Sequence, residues 1–486
     1  MKPVEMIVMG AKPTDGSTVG QPFPAGMGGS HSFRIPAMVT LSDGTLVAAA
    51  DARWNTCYDG GGLDTVVARS FDNGNHWNYT FANFLGDHGN AYSGKASCFI
   101  DPALAATADD TIFMLCDLYP AGVALNGNKE TRPYPDSGFN GAGKLALTDD
   151  GYDNPEAVYD HYLDGDGIFD SAGKKVEGYS VDGYFNLYRE GELVSNLFFS
   201  NSPYAVARTG YLYLTKSTDK GGTWSAPALL NMKQGQELVC LAGPAGGMVT
   251  SGGVIVFPVY SFQETGEEHT SLIYSVDHGE TWQRSASLTE MRSSEAAVVE
   301  LPDGKLRVFF RNHTAQLHYA DFDMDNNCWA ACVSTGMAIN SNTQLSALLY
   351  SKTVCGGKQV ILISCPAGPA AQGSDSSSGA CRCAGRIFAG LLEKDAPYAM
   401  TWQPGAVAVT ATPDTAIPGD DYTPKDGYFS YSSLAELKDG KGVAQLYEDS
   451  QHGWATGEGF GYTITFTTHS EEALAAAFGL VFEKAD

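Results

Sequence analysis

Short apolar runs of strand length recur along the whole chain and are separated by polar turns. Residues 210–215 form one such run, and residues 185–188 alternate apolar and polar positions as a half-buried strand does. Three Asp-Gly pairs lie between runs of this kind: Asp43-Gly44, Asp303-Gly304 and Asp439-Gly440. An Asp-Gly pair flanked by strand-like segments is a strong hairpin signal. The pattern therefore predicts an all-β chain built from hairpins.

The register of these hairpins follows by counting outward from two-residue turns at the Asp-Gly pairs. At the open ends, this count places Arg34 opposite Arg53 and Tyr431 opposite Glu448. In the third hairpin, Glu295 and Arg311 are one position out of register, as a bulge or a longer loop would produce. Hairpins repeated about one axis bring such ends together, as in a propeller of four-stranded blades around a central channel.

A second repeat supports the propeller. Residues 70–77, 217–224 and 275–282 share the pattern S-x-D-x-G-x-[T/H]-W. The Asp carboxylate bonds to nearby amides, the Gly accepts a positive φ, and the Trp covers the turn with a large apolar face. Asp219 and Asp277 are 58 residues apart, which suits one blade. The first and second copies are 147 apart, and we place a small β-rich insertion at residues 149–204 within that gap.

The charge of the chain limits its partners. Of 486 residues, 56 are acidic and 30 are basic, so the formal net charge is −26. This balance disfavours nucleic acid or an anionic membrane as partner, because both require a basic surface. An anionic substrate requires a local cluster of positive side chains. No apolar run approaches the length of about 18 residues that predicts a membrane span, and the first residues lack the apolar stretch of a signal peptide.

Neither a metal nor a cofactor is predicted. The ten cysteines show no zinc-type spacing and are expected to be packed thiols. Asp164, Asp166 and Asp170 lie close together in the insertion, but the twelve-position calcium loop with its terminal Glu is incomplete. Residues 470–478 are expected to form a short capped helix packed against the body.

Residues 33–36, Phe-Arg-Ile-Pro, together with the three boxes, resemble the bacterial sialidases of the retaining exo-α-sialidase family. The resemblance extends from residue 33 to about residue 450. It implies a six-bladed β-propeller over residues 1–486, with the insertion at 149–204 inside it. In this family, a triad of arginines holds the substrate carboxylate.

The resemblance assigns the triad and the catalytic groups residue by residue. Arg34 is the first arginine, Arg311 the second and Arg382 the third, with Arg386 as the alternative to Arg382. Guanidinium groups match carboxylate geometry with charge-assisted hydrogen bonds. Tyr431 occupies the position of the nucleophile, and a neutral tyrosine avoids the like-charge repulsion that a carboxylate nucleophile would meet beside the substrate carboxylate.

Five further residues complete the expected site. Glu295 is the base that takes the tyrosine proton, and Glu448 orients Arg34. Asp59 is the general acid and base, six residues after Arg53, with nearby Asp64 as a weaker candidate. Arg53 and Asp101 are expected to line the sugar pocket, Asp101 near the acetamido and hydroxyl side.

These assignments predict an enzyme that removes terminal sialic acid from sialylated glycans, glycoproteins or glycolipids with retention, through a covalent sialyl-tyrosine intermediate. One alternative is an intramolecular trans-sialidase that releases 2,7-anhydro-sialic acid with the same catalytic groups. A second is a non-catalytic, glycan-binding propeller, which would need the arginines but no proton transfer. The resemblance implies a secreted or surface-attached protein.

Overall fold

The computed structural model describes residues 14–24, 26–54, 59–86, 96–124, 138–235, 237–263, 265–354, 356–368, 382–412, 427–450 and 462–483. Within these ranges the chain consists of β-strands, two single-turn 3₁₀-helices (Met27–Gly29 and Lys438–Gly440) and one α-helix. None of the helices in the described part has the length and hydropathy needed to span a membrane.

The first half of the chain forms blades 1 and 2 and an insertion. The strands of blade 1 are β1 (Gly16–Val19), β2 (Ser32–Thr40), β3 (Leu46–Arg53), β4 (Leu63–Ser70) and β5 (His76–Asn83). Blade 2 begins with β6 (Cys98–Ala106) and β7 (Ile112–Tyr119). The insertion strands are β8 (Ala146–Thr148), β9 (His161–Asp164), β10 (Gly167–Asp170), β11 (Tyr179–Val181), β12 (Asn186–Arg189), β13 (Glu192–Asn196) and β14 (Ala205–Val206). Blade 2 ends with β15 (Tyr211–Ser217) and β16 (Ala228–Leu230).

The second half of the chain forms blades 3 to 6. The strands of blade 3 are β17 (Glu237–Ala242), β18 (Met248–Val249), β19 (Ile255–Gln263), β20 (Glu268–Ser275) and β21 (Gln283–Arg284). Those of blade 4 are β22 (Ala296–Glu300), β23 (Leu306–Phe310), β24 (Gln316–Asp323), β25 (Cys328–Trp329) and β26 (Val333–Ala338). Blade 5 consists of β27 (Ser346–Val354), β28 (Lys358–Pro366), β29 (Gly385–Leu392) and β30 (Met400–Ala408). Blade 6 and the tail consist of β31 (Ser432–Glu436), β32 (Gly442–Ser450), β33 (Tyr462–Ser470), α1 (Glu471–Phe478) and β34 (Phe482–Glu483).

Each blade is an antiparallel sheet, and the inner strands of the six blades contact one another in a closed ring. Blade 1 runs β2-β3-β4-β5 from the centre outward, and blades 2 to 5 repeat this four-strand order. The described part of blade 6 has three strands, in the order β31-β32-β33. Around the ring, β2 packs against β6, β6 against β17, β19 against β22, β22 against β27, β27 against β31, and β31 against β2. The predicted six-bladed β-propeller is therefore confirmed.

Apolar clusters fill the interfaces between neighbouring blades. Between blades 6 and 1, Trp77 packs against Phe466 with ring centroids 5.1 Å apart. Separate buried clusters lie at the other five junctions. Each blade carries apolar side chains on both faces and needs a neighbouring blade on each side to bury them. Burial of the core therefore depends on closure of the ring.

The three boxes connect the third and fourth strands of blades 1, 2 and 3, and their internal bonds are the same. In the first box, Ser70 Oγ donates to Asp72 Oδ1 at 2.9 Å, and Gly74 N donates to Ser70 Oγ at 2.8 Å. The corresponding bonds in the other two boxes are 2.8 Å each. The boxes are turns that close the outer hairpins, as predicted.

The hairpin registers agree with the prediction in two cases and differ in one. Backbone N–H of Glu448 donates to Tyr431 O at 2.9 Å, and that of Arg311 donates to Glu295 O at 2.7 Å, so both pairs lie opposite each other. Arg34, however, faces Asp51 and not Arg53. The predicted Arg34–Arg53 pairing is wrong because a longer loop and a bulge both shift the register.

A longer loop and a bulge shift the register of β2 and β3. The loop has three residues, 42–44, because Leu41 N bonds to Thr45 O, and its Gly44 has φ 93°. Ile35 adopts φ 59°, and the pairing shifts between Arg34 and Ala37. Together these features move Arg34 two positions along β3 relative to the prediction.

The insertion and the tail pack on the propeller body. Strands β8, β9, β10 and β14 form one small sheet and β11 to β13 a second. Phe198 of the insertion packs against Tyr211 of blade 2 with ring centroids 5.3 Å apart. Helix α1 begins after Ser470, whose Oγ accepts from Ala473 N, and it contacts β30, β32 and β33. The predicted short capped helix is confirmed.

Candidate active site

The polar side chains singled out in the sequence meet at the strand ends away from the Asp-Gly turns. Arg34 and Asp101 lie on the innermost strands of blades 1 and 2. Glu295 and Tyr431 immediately precede the innermost strands of blades 4 and 6. Equivalent positions in different blades therefore supply one site at one mouth of the central channel.

Tyr431 is the centre of this site. Its hydroxyl donates to Glu295 Oε1 at 2.5 Å and accepts from Arg311 Nη1 at 3.1 Å. The same Nη1 donates to Glu295 Oε2 at 2.9 Å. Burial, together with the adjacent Glu295, raises the pKa of Tyr431 well above its ordinary value, while Arg311 and Arg382 act in the opposite direction. The resting tyrosine is therefore neutral and has an acceptor for its proton in place.

Three arginines surround the tyrosine. Arg34 and Arg382 each place Cζ 5.5 Å from the centroid of the Tyr431 ring, and Arg311 contacts its hydroxyl. Arg382 Nη1 also donates to Ser430 Oγ at 3.2 Å. The three guanidinium groups make a compact positive region within an acidic chain, which is the local cluster that an anionic substrate requires.

Arg386, the alternative to Arg382, lies in a different environment. Its Nη1 donates to the carbonyl oxygens of Gly385 and Thr410 at 2.8 and 2.7 Å. These bonds tie β29 to the segment after β30 and leave the guanidinium engaged by backbone. Arg382 is thus the arginine that the structure brings to Tyr431.

Arg34 is fixed by Glu448. Glu448 Oε1 accepts from Arg34 Nε at 3.0 Å, and Oε2 accepts from Nη2 at 3.2 Å. Oε1 also accepts the backbone N–H of Ile35 at 3.0 Å. Because Glu448 is completely buried, the forked pair is shielded from solvent and holds the guanidinium in one orientation.

Asp59 lies between two arginines. Its Oδ1 accepts from Arg53 Nη1 at 2.7 Å and from Arg34 Nη1 at 3.2 Å. About a third of its side chain is exposed, 34%, so the carboxylate reaches the channel mouth. The weaker candidate, Asp64, is buried and accepts from Trp54 Nε1 at 2.8 Å and Leu85 N at 2.9 Å. Asp64 thus connects β4 to the segments that follow β3 and β5 through both of its oxygens.

Asp101 joins the site through its position and its electrostatics. It is half-buried, with φ 62°. Burial raises its pKa well above the ordinary value, and the negative charges of Asp51, Asp117 and Glu295 act in the same direction. Asp101 therefore favours the neutral acid, which can donate a hydrogen bond as well as accept one.

Three residues that support the site were missed in the sequence. Asp51 Oδ2 accepts from Arg53 Nη2 at 2.7 Å, and Asn342 Oδ1 accepts from Arg311 Nε at 3.0 Å. The Gln344 amide pairs with both backbone groups of Ser432, next to the tyrosine, at 2.9 and 3.0 Å. Asp51 was detectable, since it lies two residues before Arg53 on the same face of one strand. No sequence signal identified the two amides.

Acidic side chains in the insertion have other partners. Asp164 pairs with Lys144 at 2.7 Å, and Asp170 Oδ1 accepts two backbone N–H groups of its own turn. Among the described residues, Asp149, Asp160 and His161 form one group with metal-ligand atoms close together. The five buried cysteines of the described part are free thiols, as are Cys328 and Cys332.

The comparisons with known proteins agree with this architecture. A family model described as "BNR repeat-like domain" matches residues 35–381, which is more than half of the chain. The chain therefore belongs to this BNR repeat-like family.

Four relatives illustrate the similarity. An anhydrosialidase of Macrobdella decora is 28% identical over 475 residues, covering 86% of this chain and 58% of the relative. Sialidase B of Streptococcus pneumoniae is 28% identical over 416 residues, covering 75% of this chain and 56% of the relative. Structures of a leech intramolecular trans-sialidase and of the intramolecular trans-sialidase of Ruminococcus gnavus are both 25% identical, with TM-scores of 0.75 and 0.74. They cover 93% and 92% of this chain, which in turn covers 69% and 96% of theirs. The chain thus spans less than two thirds of the two curated relatives.

Proposed function

We propose that the chain is an exo-α-sialidase that cleaves terminal sialic acid from sialylated glycans through a covalent sialyl-tyrosine intermediate. The observation that carries the proposal is the 2.5 Å hydrogen bond from Tyr431 to Glu295 inside a ring of three arginines. A nucleophile, its base and a carboxylate-binding cluster are the parts that this chemistry requires.

Substrate binding follows from the charge of the cluster. The carboxylate on the anomeric carbon of sialic acid would be held by Arg34, Arg311 and Arg382, which places that carbon above the Tyr431 hydroxyl. Glu448 and Asn342 keep two of the guanidinium groups in position before substrate arrives. Preorganised donors of this kind need little rearrangement during the reaction.

Formation of the intermediate requires two proton transfers. As the bond from the tyrosine oxygen to the anomeric carbon forms, the phenolic proton passes to Glu295 Oε1 along the existing hydrogen bond. The glycosidic bond breaks at the same time, and Asp59 in its acid form gives a proton to the departing oxygen. Both transfers avoid a free phenolate and a free alkoxide.

The intermediate is resolved by the reverse set of transfers. Asp59, now a carboxylate, removes a proton from the incoming hydroxyl, which attacks the anomeric carbon. The bond to tyrosine breaks, and Glu295 returns its proton to the Tyr431 oxygen. Two displacements at one carbon give net retention.

The identity of the incoming hydroxyl distinguishes two products. Attack by water gives free sialic acid, the hydrolytic outcome expected from the sequence. Attack by a hydroxyl of the bound sugar itself gives 2,7-anhydro-sialic acid. Names of both kinds occur among the similar proteins, since an anhydrosialidase and intramolecular trans-sialidases stand beside Sialidase B.

A non-catalytic glycan-binding propeller remains the alternative from a different class. It would use the arginines but has no need of a base at 2.5 Å from a buried tyrosine.

We also propose that the insertion, residues 149–204, is part of the same domain, because its apolar side chains share a buried cluster with blade 2.

Mass analysis of the sugar released from 3′-sialyllactose tests these proposals. Free sialic acid supports hydrolysis, and a product lighter by one water supports the intramolecular reaction. The solvent must be labelled with ¹⁸O to confirm the origin of the oxygen in the first case. Absence of any released sugar, with retained binding of sialyllactose, would support the glycan-binding propeller and overturn the enzymatic proposal.

A further inference from the structure

Three buried carboxylates occupy equivalent positions at consecutive blade junctions. Each lies on the second strand of its blade and accepts a backbone N–H from the innermost strand of the next blade. The pairs are Glu448 with Ile35 at 3.0 Å, Asp51 with Asp101 at 3.1 Å, and Asp117 with Ala242 at 2.9 Å. All three side chains are inaccessible to solvent. We call them the junction carboxylates.

Two of the junction carboxylates also hold an arginine. Glu448 binds Arg34 through both oxygens, at 3.0 and 3.2 Å. Asp51 Oδ2 binds Arg53 Nη2 at 2.7 Å. The third, Asp117, has no hydrogen-bond partner on Oδ2 among the described residues. The repeat therefore has two members that orient a guanidinium and one that only joins blades.

The arginine held by Asp51 leads directly to the acid and base of the proposed reaction. Arg53 is completely buried, and its other terminal nitrogen donates to Asp59 Oδ1 at 2.7 Å. A buried guanidinium is held by its carboxylate partners, because any other orientation would leave its donors without acceptors. Asp59 lies on a loop and is partly exposed, so its position depends on this buried support.

We propose that Asp51 is a positioning residue for the proton transfer by Asp59, acting through Arg53 as Glu448 acts on Arg34. This inference rests on the proposed function, in which Asp59 protonates the leaving group. Asp51 also accepts the backbone N–H of Asp101, so it connects Arg53 and Asp59 of blade 1 to the innermost strand of blade 2.

Leaving-group dependence tests the proposal. A general acid matters most for a poor leaving group such as lactose and least for an acidic phenol, so we compare 3′-sialyllactose with the 4-methylumbelliferyl sialoside. In Asp51→Asn, the amide oxygen can still accept from Asp101 N–H, but the amide nitrogen that then faces Arg53 is a donor and cannot accept from Nη2. We expect kcat/KM for sialyllactose to fall about tenfold or more beyond any fall for the aryl sialoside.

Three variants serve as references. Asp59→Ala must show the same leaving-group dependence more strongly. In the double variant with Asp51→Asn, the ratio of kcat/KM for the aryl sialoside to kcat/KM for sialyllactose should be the same as in Asp59→Ala alone. Asp117→Asn is the matched control, since it alters a junction carboxylate without an arginine partner and should leave the ratio unchanged. Arg53→Gln cuts the same connection from the other side and should reproduce the ratio of Asp51→Asn. It replaces that variant if circular dichroism shows that Asp51→Asn does not fold.

The proposed function and the role of Asp51 fail in distinguishable ways. If the unaltered chain cleaves neither sialoside, the proposed function fails. If Asp59→Ala shows the leaving-group dependence while folded Asp51→Asn and Arg53→Gln lower both rates equally or not at all, the role of Asp51 is overturned. If Asp117→Asn changes the ratio of the two kcat/KM values to the same extent, the role of Asp51 is also overturned. A general loosening of the blade junctions would then explain the change in the ratio.

Discussion

The hydroxyl of Tyr431 donates to the carboxylate of Glu295 over 2.5 Å, although the two residues are 136 positions apart on blades 6 and 4. Arg311 contacts both partners, with Nη1 2.9 Å from Glu295 Oε2 and 3.1 Å from the tyrosine oxygen. Two blades thus supply the three groups around one proton.

Replacing Tyr431 by Phe removes the attacking oxygen and retains the ring that lies between Arg34 and Arg382. We expect kcat/KM for a fluorogenic sialoside to fall at least about 10³-fold, as is usual when a nucleophile is removed. Binding of a non-hydrolysable sialic acid analogue, measured by calorimetry, should stay close to that of the unaltered chain. Turnover at the unaltered rate would refute the nucleophile assignment.

Replacing Glu295 by Gln keeps a hydrogen-bond acceptor near the tyrosine but removes the base. We expect kcat/KM to fall about 10²–10⁴-fold, the usual range for general-base catalysis. Since Glu295 acts through Tyr431, the double variant Tyr431→Phe/Glu295→Gln should be no slower than Tyr431→Phe alone. Additive losses in steady-state kinetics would show that Glu295 has a separate role.

The two arginines near the start of β29 provide a matched pair. Arg382→Met removes a guanidinium beside Tyr431, and hydrogen bonds to charged groups contribute about 1.5–3 kcal/mol. We therefore expect kcat/KM to fall about tenfold to hundredfold, mainly through KM. Arg386→Met removes bonds to two backbone carbonyls and should leave both kinetic constants close to their original values. The reverse result would make Arg386 the third arginine of the triad.

The buried Asp51 makes stability depend on pH. Burial raises its pKa to about 7, with Arg53 opposing the shift. Below the unfolded pKa the side chain is protonated in both states. As pH rises toward 7, the unfolded chain releases the proton that the folded chain retains, so a stabilising contribution on the order of a few kcal/mol is lost.

Chemical unfolding of the unaltered chain and of Asp51→Asn between pH 4 and pH 8 checks this. The variant has no carboxyl at this position, so the difference in unfolding free energy reports the titration of Asp51 together with its effect on the pKa values of Asp101 and Asp117. We expect the unaltered chain to lose stability relative to the variant as pH rises. A difference that is constant with pH would show that the carboxyl is not titrating in this range.

Much of the site was predictable because its chemistry is local in sequence. Arg34 lies within a short motif, and counting from Asp439-Gly440 placed Tyr431 opposite Glu448 correctly. That count succeeded because the loop, although it has four residues, preserves the register of a two-residue turn. The turn chemistry of the boxes was likewise readable from their Ser, Asp and Gly.

The support beneath the site was predictable only as far as the pair of Asp51 and Arg53, because the rest depends on backbone irregularities and on blade packing. Ile35 adopts a positive φ, which is unusual for a β-branched residue and leaves no mark in the sequence pattern. The resulting bulge sets Asp51 opposite Arg34. The bond from Asp51 to the backbone of the next blade also depends on how the blades pack.

The pairing of Arg34 with Glu448 joins positions 414 residues apart. Its consequence concerns biosynthesis: a nascent chain that has completed five blades lacks both the tyrosine and the partner of its first arginine. Catalytic competence should therefore arise in one late step, when the last blade docks against the first. Contacts this distant in sequence form slowly, so recovery of turnover after dilution from denaturant should lag behind recovery of β-sheet circular dichroism.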